Sequence, residues 1–203
     1  MKSLSEIETT SKRASRALGY SWGISEEVGK SVRLLEMFNF EGIRNLNEYL
    51  KEKKDKKFES LNLISENNEC SAFSYCPIIL GVSFLDQIEK IEKIKTINFS
   101  KIAYPLLFLP FLSRSSEVIG KKIFFKFEKS EFLLNINVNI STNLLHEYCP
   151  NMATNAEVKI LENNDNFTEN DWKSLYQLSE KTFVEESESL KKGAAGAGLT
   201  DND

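Results

Sequence analysis

Apolar residues recur at helical spacing through the first quarter of the chain. Ser3 and Glu6 form a capping-box pattern, and the apolar positions after them lie on one side of a helix that Gly19 can end. Ser25 is predicted to cap a second helix, because two glutamates follow it directly and apolar residues then repeat every three or four positions. The same spacing predicts a third, shorter helix at residues 43–50.

From Cys70 the pattern changes to short apolar runs rich in aromatic and β-branched residues, which are typical of strands. The predicted strands are residues 73–82, 96–99, 123–127, 132–140 and 157–161. In residues 132–140 apolar side chains alternate with mostly asparagine, so we expect a strand with one apolar face that pairs with residues 123–127 in an antiparallel hairpin. Residues 86–95 are predicted to form a short helix, because isoleucine recurs there at every third position.

A final helix is predicted to begin at Thr168, with Asp171 three residues further on. These elements favour an α+β fold, in which an N-terminal helical lobe packs on a mainly antiparallel sheet, followed by a C-terminal helix and a glycine-rich tail. We place the lobe at residues 1–57, the α+β core at residues 58–192 and the tail at residues 193–203, and expect one folding unit. The charged residues 51–57 lack apolar periodicity, so they are predicted to be a boundary or an exposed loop.

The charge is distributed unevenly along the chain. The 203 residues are 41% hydrophobic and carry a formal net charge of −4, which suits a domain with one substantial core. Residues 1–57 have 12 lysines and arginines against 9 acidic residues, whereas residues 157–203 have 5 against 11. A net excess this small argues against a nucleic-acid partner, which requires clustered phosphate contacts. The basic lobe either meets the acidic tail, in the same chain or in a neighbour, or both are ordinary solvated faces.

Several features predict a cytoplasmic protein that has no membrane partner. The first residues contain no apolar run of the kind found in a signal peptide. The most apolar stretch, residues 102–112, is about half the length that spans a bilayer and contains two prolines, so it is predicted to be buried in the core. The chain has three cysteines with no closely spaced pair, which favours reduced thiols over disulfides.

The usual catalytic motifs are missing, and we assign no cofactor and no metal. The single histidine, His146, lies three residues before Cys149. With Cys76 brought close by folding, these residues could hold zinc, but a structural histidine and a buried cysteine explain the pair better. A Cys149 nucleophile with His146 as its base is a further alternative, and it requires a pocket around the two residues.

Two further residues are candidates for binding a ligand or a partner. Arg114 is the only arginine after Arg44, so it could contact an anion through two hydrogen bonds, although an exposed surface arginine is the simpler interpretation. Trp22, which precedes Gly23, could line a pocket or could pack as a wedge between two helices.

The C-terminal tail combines a flexible, small-residue segment with clustered carboxylates. Glycines spaced by alanines resist regular helix and strand, and two aspartates and the terminal carboxylate follow them. Such carboxylates can accept hydrogen bonds or bind a hard cation when they are held in place. The candidate binding residues of the tail are Gly193, Gly196, Gly198, Thr200, Asp201, Asn202 and Asp203. Chain ends also fray, so a disordered tail is the alternative.

Both ends of the chain resemble one family. The segment Gly-Tyr-Ser-Trp-Gly at residues 19–23, with the helical patterns around it, is similar to the opening of an uncharacterised bacterial family of about this length, catalogued as a domain of unknown function. The final residues, Gly-Ala-Gly-Leu-Thr-Asp-Asn-Asp, resemble the C-terminal pattern of the same family. Glu185 and Lys191 depart from that pattern, which has proline and arginine there. The resemblance implies no particular reaction.

Two hypotheses for the function follow from these features. In the first, the protein is an accessory or binding protein whose acidic tail engages a partner protein or a neighbouring subunit, giving a homo-oligomer in the second case. In the second, it is a small-molecule or metal-dependent enzyme, or an enzyme subunit, and the tail closes over the active site as a lid. The absence of catalytic motifs favours the first hypothesis.

Overall fold

The computed structural model describes residues 2–144 and 149–183. Three helices come first and are followed by strands that alternate with further helices. The elements are α1 (Leu4–Ala17), α2 (Trp22–Met37), α3 (Gly42–Asp55), β1 (Asn67–Asn68), α4 (Pro77–Ile91), β2 (Thr96–Ala103), α5 (Leu109–Ile119), β3 (Lys122–Phe127), β4 (Ser130–Asn135), β5 (Asn139–Thr142), β6 (Met152–Leu161) and α6 (Glu169–Glu180). The predicted α+β class, with helices ahead of a mainly antiparallel sheet, is confirmed.

The chain forms two compact units, one ending at Asn163 and the other beginning at Asn164. In the second unit, Thr168 caps α6 as predicted, because its hydroxyl accepts a hydrogen bond from the Asp171 amide at 3.2 Å. The ring of Trp172 stacks on that of Phe167, and no side chain of α6 is buried. The domain boundaries proposed from the sequence stay a prediction.

In the described part of the first unit, six strands form a sheet in the order β1-β2-β6-β3-β4-β5. Its pairings are antiparallel except that between β1 and β2, where Asn67 pairs with Asn98. The predicted hairpin of β3 and β4 is confirmed, with Phe125 opposite Phe132. The rings of these two residues stack within the core.

Two strand predictions were wrong in an instructive way. Residues 132–140 form two strands, because Ile136 and Asn137 have φ angles of 51° and 55° and turn the chain between β4 and β5. Asparagine tolerates this left-handed conformation. The alternation of asparagine with apolar residues, which resembled one long strand, therefore includes a turn. Residues 73–82 are not a strand: most of them belong to helix α4, which begins at Pro77.

Two helix boundaries also differ from the prediction. Ser21, and not Ser25, caps α2, since the Ser21 hydroxyl accepts a hydrogen bond from the Ile24 amide at 3.3 Å and Ser25 is buried inside the helix. Helix α3 continues to Asp55, so most of the segment predicted as a boundary or loop is helical. By contrast, the capping box of Ser3 at the start of α1 is confirmed.

An aromatic cluster joins the helices to one face of the sheet. The ring of Phe108 lies within 6 Å, centroid to centroid, of the rings of Phe84, Phe99 and Phe125. Phe108 belongs to residues 102–112, which are buried as predicted and comprise the end of β2, a 3₁₀ turn and the start of α5. None of the described helices is both long enough and apolar enough to cross a bilayer.

Candidate functional site

A cavity of about 550 Å³ opens beside the α1–α2 connection, the end of α3 and the start of α4. We call it the basic pocket, because Lys53, Lys56 and Lys57 line it. Its floor consists of Tyr20, Tyr49 and Cys76. The apolar lining residues are Ile24, Phe58 and Ile79. None of the lining residues identified in the described chain is a carboxylate.

Three polar atoms meet at the floor of the basic pocket. The hydroxyl oxygens of Tyr20 and Tyr49 are 2.6 Å apart, and the Cys76 sulfur lies 3.0 Å from the Tyr49 hydroxyl and 3.4 Å from the Tyr20 hydroxyl. All three side chains are buried. Because buried polar groups are costly without partners, this triangle fixes the α1–α2 connection, α3 and the start of α4 against one another.

The two phenols remain protonated at neutral pH. Burial raises the pKa of Tyr20 and of Tyr49 far above the ordinary value, and the neighbouring Cys76 adds to the shift because a thiolate would repel a phenolate. Each hydroxyl therefore has one proton to donate, either within the triangle or to an anion in the pocket.

Cys76 occupies the N-cap of α4, where its sulfur accepts a hydrogen bond from the Ile79 amide at 3.4 Å. Pro77 is the first helical residue, a position at which a missing backbone N–H costs nothing. The positive end of the α4 dipole is thus directed at the floor of the basic pocket. This end of the helix favours negative charge, as do the lysines around the cavity.

The three lysines differ in how they are held. Lys56 pairs with Glu52 at 3.0 Å, and the Lys53 ammonium lies 4.9 Å from the centroid of the Tyr20 ring. Among the described residues, neither Lys53 nor Lys57 has a carboxylate within ion-pair distance. Two positive charges at the basic pocket are therefore not neutralised by the protein side chains that the structure describes.

Glu52 is itself positioned by Tyr104, whose hydroxyl donates a hydrogen bond to the carboxylate at 3.0 Å. Tyr104 has a φ of 45°, an uncommon backbone conformation for a bulky residue, and its ring contacts that of Tyr49 edge to face. Through this chain of contacts the turn after β2 fixes Glu52 and, with it, Lys56. The rim of the basic pocket is therefore anchored to the core.

A second cavity, of about 640 Å³, adjoins the basic pocket, and we call it the adjoining groove. The two cavities share Lys56, Lys57 and Phe58. Further lining residues of the groove include Asp55, Phe73, Lys101 and Met152. The shared residues form the border at which the two cavities meet.

One wall of the adjoining groove is held by Glu59. Its carboxylate accepts hydrogen bonds from the amides of Ser71, Ala72 and Phe73 at 2.6 to 3.0 Å, and from the Ser71 hydroxyl at 2.9 Å. These bonds stabilise the ionised form, so the pKa of Glu59 falls to about 2. The loop that includes Phe73 is thereby tied to the strand-like segment beside Phe58.

Arg114 pairs with a carboxylate and is neither a free anion contact nor an exposed residue. Its guanidinium Nη2 forms an ion pair with Glu27 of α2, and the side chain is 20% exposed. Burial works to raise the pKa of Glu27, but the hydrogen bond and charge of Arg114, with help from Lys30, lower it. The guanidinium also lies over the ring of Phe111. Arg114 lies outside the basic pocket.

Trp22 is 60% exposed, and the guanidinium of Arg16 lies 5.3 Å from the centroid of its ring. It does not pack as a wedge. Trp22 is not among the lining residues identified for the basic pocket, although its neighbours Ser21 and Ile24 are. The candidate residues of the tail, Gly193, Gly196, Gly198, Thr200, Asp201, Asn202 and Asp203, lie outside the described residues.

The cysteines are separated in the structure. Cys149 is buried, and burial raises its pKa to about 12, whereas Cys76 bonds to the two tyrosines. Cys70 accepts a hydrogen bond from the Ser100 hydroxyl. His146 lies outside the described residues, within which no group of side chains is suited to hold a metal ion.

Sequence reasoning missed the basic pocket, because its residues come from three separated segments. The lysines of residues 51–57 were visible only as a charged run, and the pattern of α3 gave no sign that they border a cavity. The signal that was available is Cys76-Pro77, a cap residue followed by a proline suited to the first position of a helix.

Comparison with known proteins gives a match at the N-terminal end. Residues 2–74 match the model of a family described as "Protein of unknown function (DUF3726)". The expected resemblance to a domain of unknown function is confirmed. The matched residues include α1, α2 and α3, and therefore Tyr20, Tyr49 and the three lysines of the basic pocket. Searches of curated proteins and of solved structures gave no match.

Proposed function

We propose that this protein is a cytoplasmic binding protein that takes a small organic anion in the basic pocket. The observation that carries the proposal is the set of three lysines around a cavity with no carboxylate among its described lining residues. Anions bind where cations, protonated hydroxyls and a helix N-terminus converge, and the basic pocket supplies all three. The cysteines are free thiols, which suits a reducing compartment.

The lining residues also indicate what the rest of the ligand is like. Ile24, Phe58 and Ile79 give the basic pocket an apolar side, so an inorganic ion would leave much of the cavity without contacts. A carboxylate or phosphate group attached to a compact apolar body would use both the lysines and this side. The volume of about 550 Å³ is within the range of sites for small molecules.

Thermal shift of the full chain with a panel of carboxylates and phosphate monoesters tests the proposal, followed by calorimetry on the best ligands. We expect Lys53→Ala and Lys57→Ala to weaken binding by about two- to fivefold each, as for single exposed ion pairs. Lys54→Ala is the matched control, because Lys54 is an exposed lysine of the same helix outside the lining identified for either cavity. Equal losses in all three variants, or no ligand at all, would refute the proposal.

We also propose that the acidic tail engages a partner protein or a neighbouring subunit. The support is the excess of acidic residues in residues 157–203 and the small-residue segment before Asp201 and Asp203. Sedimentation and pull-down experiments should compare the full chain with a chain ending at Lys192 and with the Asp201→Asn, Asp203→Asn double variant. Unchanged association in both, with the fold intact, would count against this role.

A second candidate function is that of an enzyme, or of an enzyme subunit, in which the tail closes over the basic pocket's ligand as a lid. The observation that favours it is that Cys76, a thiol that can act as a nucleophile, lies in the floor of this cavity. Once a ligand is found, its recovery unchanged after long incubation supports the binding role. Turnover that Cys76→Ser abolishes without loss of binding supports the enzyme.

A further inference from the structure

The basic pocket and the adjoining groove form one continuous stretch of surface. Lys56, Lys57 and Phe58 line both cavities, so a ligand that fills the first can extend past these residues into the second. The combined space exceeds what a compact anion can occupy, since the groove alone has a volume of about 640 Å³. The two cavities together are suited to an elongated molecule.

The distribution of charge differs between the two ends of this surface. Lys53 lies at the basic pocket, and Lys101 of β2 lies in the adjoining groove. Lys101 is exposed and has no ion pair with any described carboxylate. Two carboxylates, Glu52 and Asp55, are among the lining residues identified for the groove. Glu52 already binds Lys56 and Tyr104, whereas Asp55 has no such partner among the described residues. Each end therefore offers a lysine to an anionic group.

Between Lys53 and Lys101 the surface carries Lys56 and Lys57 and, beside them, apolar side chains. Phe58 lies at the border of the two cavities, with its ring 5.1 Å from that of Tyr49, so it is fixed against the core. Phe73 and Met152 extend the apolar surface on the groove side, and both are about half exposed. An apolar spacer lying over these side chains would remove their surface from water.

We propose that the ligand of the basic pocket is an elongated dianion, with one anionic group at Lys53, a second at Lys101 and an apolar spacer that lies over Phe58. This inference rests on the proposed function and specifies its substrate class. Two separated anionic groups suit this surface, because Lys53 at one end and Lys101 at the other lack a carboxylate partner in the described structure, as does Lys57 between them. The recognition also requires a minimum length, because the border residues separate Lys53 from Lys101.

The test uses the full chain and straight α,ω-dicarboxylates of increasing length, each compared by calorimetry with its own monomethyl ester. The ester keeps the length and the apolar body and removes one charge. Beyond a threshold length, the dicarboxylate should bind about two- to fivefold more tightly than its ester, the value of one exposed ion pair. Lys101→Ala should abolish this difference, whereas Lys54→Ala should preserve it.

The outcomes separate this inference from the proposed function. If esters and dicarboxylates of every length bind equally, and Lys53→Ala weakens both, the basic pocket binds one anionic group and the dianion proposal is wrong. If neither class of compound binds the unaltered protein, the dianion proposal fails, and the proposed function fails with it when the phosphate monoesters do not bind either. A difference that survives Lys101→Ala would also overturn the inference, because the second charge would then lie elsewhere.

Discussion

The sulfur of Cys76 lies 3.0 Å from the hydroxyl oxygen of Tyr49, at the point where α3 meets the first turn of α4. Tyr49 is completely buried, and its hydroxyl is also 2.6 Å from that of Tyr20. One hydroxyl thus links a helix of the N-terminal segment to α4, which packs on α5. The floor of the basic pocket is therefore part of the core, and its shape depends on how three segments pack.

Replacing Tyr49 with phenylalanine tests how much the floor contributes to stability. The Tyr49→Phe variant removes the central hydroxyl and leaves Tyr20 and Cys76 with one partner fewer in a buried site. We expect the free energy of unfolding to fall by about 1–3 kcal/mol. Urea denaturation measures it. Tyr176→Phe is the control, since Tyr176 is half exposed on α6 and should change little.

Gly81 of α4 is predicted to be intolerant of any side chain. A Cβ at this position would overlap the ring of Phe111 in α5, whereas a Cβ at Gly23 in α2 would meet nothing within 4 Å. Gly81→Ala should therefore destabilise the protein by about 1–3 kcal/mol through overpacking. Gly23→Ala, which adds the same methyl group, should be neutral or stabilising by up to about 1 kcal/mol, because alanine favours the helix. Similar losses in both variants would contradict this account of the α4–α5 contact.

The contact of Gly81 with Phe111 also shows why the sequence misled at α4. A helix that packs on several sides has apolar residues at nearly every position, and in a short run this pattern cannot be told from that of a buried strand. Capping residues were more informative, as the confirmed boxes at Ser3 and Thr168 show. They failed at α2, where Ser21 and Ser25 are both suitable and only tertiary packing decides between them.

The candidate site was less accessible to sequence reasoning than the fold class. Tyr20, Tyr49 and Cys76 are far apart in the chain, and no spacing rule links them. The contact between their side chains depends on how α3 packs against the start of α4, and spacing along the sequence does not reveal that packing. Arg114 pairs with Glu27, which comes from α2, so its partner could not be read from nearby positions in the sequence.

Glu59 should make stability depend on pH in the acidic range. Its pKa is about 2 in the folded protein and 4.5 in the ordinary state, so the folded form binds fewer protons between these values. The stabilisation is complete above pH 4.5 and is lost as the pH falls towards 2. Melting temperatures measured across this range should fall less steeply for Glu59→Gln than for the unaltered protein. Glu69→Gln, at an exposed position in the same loop region, should retain the original dependence.

Two adjacent buried serines of α5 should respond in opposite ways to the loss of their hydroxyls. Ser115 and Ser116 are both fully buried. The Ser115 hydroxyl has no hydrogen-bond partner in the described structure. The Ser116 hydroxyl, by contrast, donates a hydrogen bond to the Lys121 carbonyl and accepts one from the Ile136 amide. Ser116→Ala removes the partner of two partly buried backbone groups and should cost about 0.5–1.5 kcal/mol of unfolding free energy. Ser115→Ala removes an unpaired polar atom and should be neutral or stabilising, within about 1 kcal/mol. Denaturation curves of the two variants measure both effects, and a larger loss for Ser115→Ala would show that its hydroxyl is satisfied in solution.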